Sequence, residues 1–132
     1  MIYLASPYTD EDHAVMEDRY AIVRDVTATL LARGEVIFSP IVHCHELAKY
    51  NDLPRDVGFW WRYNSGMISV AKAFAILTLD DWKESKGVRK EYILAQSYTS
   101  MLIALVSPIA PHIILHLDPE QSPYDMQHVR VL

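Results

Sequence analysis

Apolar residues occur along this chain in short dense runs and in stripes spaced by three and four positions, and the two patterns alternate. The run Ile2 to Ala5, closed by Ser6-Pro7-Tyr8-Thr9-Asp10, reads as a short buried strand followed by a loop. From Glu11 to Arg33 the residues Val15, Ile22, Val26 and Leu30 recur at helical intervals, and Gly34 follows as a C-terminal cap. Glu35 to Phe38 predicts a second strand ending at Ser39-Pro40, and His43 to Tyr50 a short helix before the breaker Pro54. Trp60, Tyr63, Met67 and Val70 mark a helix over Val57 to Lys72 that lays a bulky face on the sheet. Ala73 to Leu79 is almost wholly apolar, as expected of a central parallel strand covered on both faces. After one more long helix, Leu102 to Val106 and Ile113 to Leu117 predict two further strands, separated by Ser107-Pro108-Ile109-Ala110-Pro111. The final fifteen residues read as a loop or tail.

Strands alternating with helices predict an α/β protein, a doubly wound Rossmann- or flavodoxin-like three-layer sandwich with a mostly parallel five-stranded sheet. Ligands of such sheets bind beyond the carboxyl ends of the strands, where the strand order reverses. The loops Ser6 to Asp10 and Asp80 to Gly87 both fall at that edge.

The helix that follows the central strand carries an inward acid. Val88, Ala95 and Tyr98 share a helical stripe, and Glu91 falls on it, three residues after Val88 and four before Ala95. With Ser85 as N-cap, the hydroxyl and the first free N–H groups of that helix face a phosphate or carboxylate, and Gly87 lets the backbone come close. Glu91 lies on nearly the same face as Gly87, about 6 Å further along the axis. A capping box needs its acid three residues after the cap, where this chain has Val88, so that motif leaves Glu91 unexplained. The competing structural account pairs Glu91 with Lys86, Arg89 or Lys90.

Composition narrows the classes of partner. A chain of 132 residues with 51% hydrophobic content is the size of one domain, and without 18 consecutive apolar residues no membrane span is expected. Lys and Arg are scattered and the net charge is -5, which argues against a nucleic-acid polymer but not against a mononucleotide held at a helix terminus. Cys44 has no cysteine to pair with and no secretion leader is visible, so a cytoplasmic location is expected. His43-Cys44-His45-Glu46 offers metal-ligand types without a second cluster, and neither metal nor cofactor is expected.

Ile2-Tyr3-Leu4-Ala5-Ser6-Pro7-Tyr8 together with Ser85-x-Gly87-x-x-x-Glu91 resembles the nucleoside 2-deoxyribosyltransferase superfamily, which includes the deoxynucleoside 5'-monophosphate N-glycosidases. The closer likeness is to its small phage and bacterial branch, DUF1937, over about residues 1 to 107. The resemblance implies that Glu91 is the nucleophile attacking the anomeric carbon of a 2-deoxyribosyl group, with Tyr3 orienting it. It further implies that Ser85 and Gly87 hold a 5'-phosphate, that Ser6 and Pro7 line the same pocket, and that the protein is a homodimer or larger homo-oligomer. The superfamily often has Gly where Ser6 stands, and it uses an Asp for sugar or base contact where this chain has Asn64, which keeps hydrogen bonding without the charge.

Asp80 and Asp81 stand at a strand's carboxyl end, as substrate contacts or bases for water, or as ordinary turn residues. Trp82 reads as a stacking surface for a nucleobase or as a lid on its own core. The expected activity is cleavage or transfer of the N-glycosidic bond of a small 2-deoxyribonucleoside through a glycosyl-glutamate. Two alternatives stand beside it: N-glycohydrolysis of NAD or another ribonucleotide, and nucleotide binding without catalysis.

Overall fold

The apolar runs pair into one five-stranded sheet in the computed structural model, which describes residues 1–126. In chain order the elements are β1 (Ile2–Ala5), α1 (His13–Ala32), β2 (Ile37–Phe38), α2 (Pro40–Asn51), α3 (Val57–Val70), β3 (Ala73–Leu77), α4 (Lys86–Ser97), β4 (Leu102–Ser107) and β5 (Ala110–His116). Short 3-10 turns at Trp82–Glu84 and Pro123–Asp125 complete them. The strand order is β2-β1-β3-β4-β5, parallel up to β4, with β5 antiparallel to β4. Of the expected tail, residues 127–132 lie outside the described residues, while Pro123–Asp125 forms a turn against the body of the protein.

Successive strand residues point to opposite faces, and both faces are buried. Leu4, Ala75, Leu77, Ala104 and Val106 pack with Met16, Val23, Val26 and Leu30 of α1 and with Ile41 and Cys44 of α2. Tyr3, Ala5, Phe74, Ile76 and Leu105 pack on the other side with Ile68 of α3 and with Val88, Tyr92 and Ala95 of α4. Over the described residues the protein is thus α/β, with four helices and a mixed, mostly parallel five-stranded sheet. Among the described residues no helix is long and apolar enough to cross a membrane.

Several boundaries differ from the sequence expectation. The buried stripe of α1 is Met16, Val23, Val26, Thr27 and Leu30, so Ile22 is turned outward, because two overlapping stripes satisfy the same helical spacing. The helix expected from His43 begins at Pro40, where proline suits the first turn and Ser39 caps through its hydroxyl. Ile68 is the buried residue of α3, whereas Tyr63 and Val70 are exposed. The aromatic residues of α3 pack sideways instead, Tyr63 stacking on His43 at 4.7 Å and lying 6.1 Å from Phe38. β3 stops at Leu77, and Leu79 is buried from the loop. β5 begins at Ala110 and includes Pro111, which the sheet tolerates because β5 is an edge strand.

The chain returns past β5 to cover the loop that precedes α4. Tyr124 lies 5.2 Å from both Trp82 and Tyr92, and Arg89 sits 4.1 Å over its ring. Lys83 Nζ donates to the Met126 carbonyl.

Candidate active site

β1 has β2 on one side and β3 on the other, so the strand order reverses there and a crevice opens beyond the carboxyl ends of β1 and β3. A cavity of about 700 Å³ occupies that position. Its wall includes Ser6, Pro7, Asn64, Ser85, Gly87 and Glu91, which come from the β1 loop, α3 and the start of α4. Residues more than eighty positions apart in the chain therefore meet in one place.

Glu91 is 6% exposed, on the same face of α4 as Val88, Tyr92 and Ala95. The fully buried Tyr3 stands beneath it and donates its phenol hydrogen to Glu91 Oε2. Burial pushes the Glu91 carboxyl up to about 7, and the bond from Tyr3 pulls the other way. The Tyr3 phenol is itself raised far above its ordinary range, first by burial and then by the charge of Glu91, so it stays a neutral donor. Among the described residues Glu91 forms no salt bridge. Two of the cations that could have neutralised it are engaged elsewhere: Lys90 lies 4.2 Å from the centre of the Trp61 ring and Arg89 over Tyr124. An acid buried with one neutral donor is poised for a cationic centre supplied from the cavity.

Three helices begin on the cavity wall. Ser39 caps α2 by accepting from Val42 N at 3.1 Å, Asp56 caps α3 by accepting from Phe59 N at 2.8 Å, and Ser85 caps α4 by accepting from Val88 N at 3.2 Å. The first residues of each, Pro40, Val57 and Lys86, line the cavity, so three partial positive helix ends face one space. A methyl group added at Gly87 would come within 3.0 Å of Val57 Cγ2, which shows how closely α4 approaches α3 at this point. Ser6 Oγ is buried in the wall with no hydrogen-bond partner among the described groups, although a buried hydroxyl rarely goes unpaired.

Two residues expected at the site are placed elsewhere. Asp80 opens on a separate cavity of about 310 Å³, beside Asp18, Ile22 and Pro108, while Asp81 borders both spaces through a left-handed backbone at φ 67°. Trp82 is half-buried, its ring 5.2 Å from that of Tyr124 and packed against the core beside it, and it is not among the residues of the cavity wall. Sequence reasoning missed Arg19 and Arg55, both on the cavity wall. Arg19 Nη1 donates to the carbonyls of Tyr8 and Thr9 at 3.2 and 3.1 Å and thereby fixes the β1 loop. Neither arginine belongs to a motif, and both resemble solvated charges until the fold brings them in. The four side chains of His43 to Glu46 go to different partners, with His43 on Tyr63, Cys44 Sγ toward the Ile41 carbonyl, His45 between Tyr8 and Glu17, and Glu46 accepting from Tyr20.

The family model described as a domain of unknown function, DUF1937, matches residues 1–106, and the chain belongs to that family. No curated protein matches the chain.

Proposed function

We propose that this DUF1937 chain cleaves or transfers the N-glycosidic bond of small 2-deoxyribonucleosides, chiefly their 5'-monophosphates, with Glu91 as nucleophile. The observation that carries the reading is a buried carboxyl, held by the Tyr3 hydroxyl and by no cation among the described residues, that opens on a cavity rimmed by three helix starts. Cleavage of an N-glycoside passes through an oxocarbenium-like state, which such a carboxylate stabilises and traps. Glu91 forms a bond to the anomeric carbon as the bond to the base breaks, and the base leaves with the electron pair. Water or a second nucleobase then displaces the glutamate. Asp81, on the cavity wall, is better placed than Asp80 to take the proton from water.

Ser85, Gly87 and the start of α4 would hold the 5'-phosphate, with Lys86 and Arg55 supplying charge. Asn64 and Ser6 would contact the sugar or base, and Tyr3 would keep Glu91 in position. The strand order β2-β1-β3-β4-β5 supports a doubly wound, flavodoxin-like three-layer arrangement, and that likeness, with the quoted motifs, is the link to the nucleoside 2-deoxyribosyltransferase superfamily. Phe59 and Tyr63 are exposed on α3 and suit a contact between copies in a homo-oligomer. The substrate is a small molecule and not a nucleic-acid polymer, and the setting is cytoplasmic.

The test incubates the purified protein with deoxynucleosides, their monophosphates and NAD, and follows the free base by chromatography. Release from a deoxynucleoside monophosphate that disappears in Glu91→Ala and Glu91→Gln is the expected result. Release that is indifferent to both substitutions would sink the assignment, and nicotinamide release alone would move it to NAD.

A further inference from the structure

Beside the cavity stands a chain of polar groups that attack by Glu91 does not use. His45 is 1% exposed and both ring nitrogens are engaged, Nδ1 lying 2.6 Å from Tyr8 Oη and Nε2 3.1 Å from Glu17 Oε2. Tyr20 stacks on the imidazole at 3.9 Å, and Lys49 donates to the other oxygen of Glu17 at 3.3 Å. The chain therefore runs from the surface, where Glu17 and Lys49 are part-exposed, to Tyr8 on the cavity wall.

The partners decide who donates. An ionised carboxylate only accepts, so His45 Nε2 carries the hydrogen that points at Glu17. In the neutral imidazole Nδ1 is then a lone pair, and the Tyr8 hydroxyl must donate to it. That leaves the phenol oxygen with its own lone pairs and no hydrogen to offer the cavity. Burial above all pushes the Tyr8 phenol up to about 12, and the neighbouring Cys44 and Arg55, which also line the cavity, act on it electrostatically. Tyr8, 6% exposed on the cavity wall, is therefore a neutral phenol whose oxygen is left free to accept.

We propose that Tyr8, turned into an acceptor by His45 and Glu17, receives the hydrogen bond of a sugar hydroxyl and so selects ligands that retain a 3'-hydroxyl. This rests on the nucleotide reading given above, because a 2'-deoxynucleoside 5'-monophosphate has one free sugar hydroxyl, at the 3' position. Glu17 and His45 are positioning residues, since they act through Tyr8. A chain that only satisfied a buried histidine would contribute to stability and leave ligand preference untouched.

The experiment compares a 2'-deoxynucleoside 5'-monophosphate with its 2',3'-dideoxy counterpart in the wild type, Tyr8→Phe and Glu17→Gln. Specificity is read as the ratio of kcat/KM values, and independently as the ratio of Kd values measured by calorimetry on a Glu91→Gln background, where no turnover is needed. The wild type is expected to prefer the hydroxylated ligand by about 10- to 100-fold, the range of one buried hydrogen bond. Tyr8→Phe is expected to bring that ratio near one by weakening only the hydroxylated ligand. Glu17→Gln, at a part-exposed position, is expected to shrink the ratio and serves if Tyr8→Phe does not fold. Nitrogen-15 NMR of His45 is expected to show hydrogen on Nε2 and a bare Nδ1. An unchanged ratio in these variants, no preference in the wild type, or hydrogen on Nδ1 would overturn the contact. A preserved Kd ratio without any base release would count against the catalytic reading and leave this contact standing.

Discussion

Replacing Glu91 with Gln should stabilise the protein, and more so as pH rises. The carboxyl titrates at 4.5 in an unfolded chain and at about 7 in the folded one, so between those values the folded state holds a proton that the unfolded state has lost. By linkage, the contribution of Glu91 is most favourable below 4.5 and declines as pH rises through 4.5 to about 7, after which it stays at its low value. Each pH unit of that gap is worth about 1.36 kcal/mol. The full penalty on ionised Glu91 is therefore about 3 kcal/mol. Because the unfolded chain is already partly ionised near pH 5, the advantage of Glu91→Gln should grow by about 2.5 kcal/mol between about pH 5 and pH 9. For a domain of 132 residues that corresponds to a Tm difference between variant and parent that widens by about 8 °C. Thermal unfolding of both proteins across that range, followed by circular dichroism, measures it. Other titrating groups cancel in the difference. A gap that stays constant with pH, or one that narrows, would refute the claim that burial raises this carboxyl.

Other substitutions test neighbouring parts of the argument. Tyr3→Phe removes the donor that holds the Glu91 carboxyl down, so the rising limb of kcat/KM against pH should move upward from about 7, with a stability loss of about 1–3 kcal/mol for the orphaned acceptor. Ile68→Ala should cost about 2–5 kcal/mol in denaturant unfolding, whereas Val70→Ala, two residues on and on the exposed side of the helix, should stay within about 0.5 kcal/mol. Cys44 is buried and its thiol is pushed up to about 12, chiefly by desolvation, so the native protein should resist alkylation near pH 8 and react fully once unfolded, as mass spectrometry would show.

Much of this was legible because burial leaves a mark on sequence. The two central strands, β1 and β3, announce themselves as apolar runs, and Glu91 stands out because an acid falls where the stripe Val88–Ala95 demands an apolar residue. The Ser85 cap was legible separately, from a serine placed where the loop after the central strand enters the helix. Residues whose place depends on distant partners left no such mark. Tyr98 fits the stripe of α4 yet lies at its end and is exposed, and Tyr63 turns to His43 instead of the sheet. Trp82 went to Tyr124, which lies more than forty positions later, and no local pattern foretells that pairing. The Tyr8–His45–Glu17 chain joins three elements across separations of 37 and 28 residues, so only the fold reveals it.

The hairpin of β4 and β5 has a consequence for how the chain tolerates trimming. The family match ends at residue 106, one position before β4 ends, and β5 and the Tyr124 turn lie beyond it. A chain shortened to the matched residues would keep the cavity walls but leave Ala104, Leu105 and Val106 without their antiparallel partners. An apolar strand with a bare row of N–H and C=O groups is a template for self-association. In the intact chain β5 takes the exposed position instead, with Pro111 withholding an N–H and with His112 and His116 turned to water. The segment beyond the matched residues thus supplies the cover for β4, with Ala110 buried and Ile114, Leu115, Leu117 and Tyr124 packed against the core.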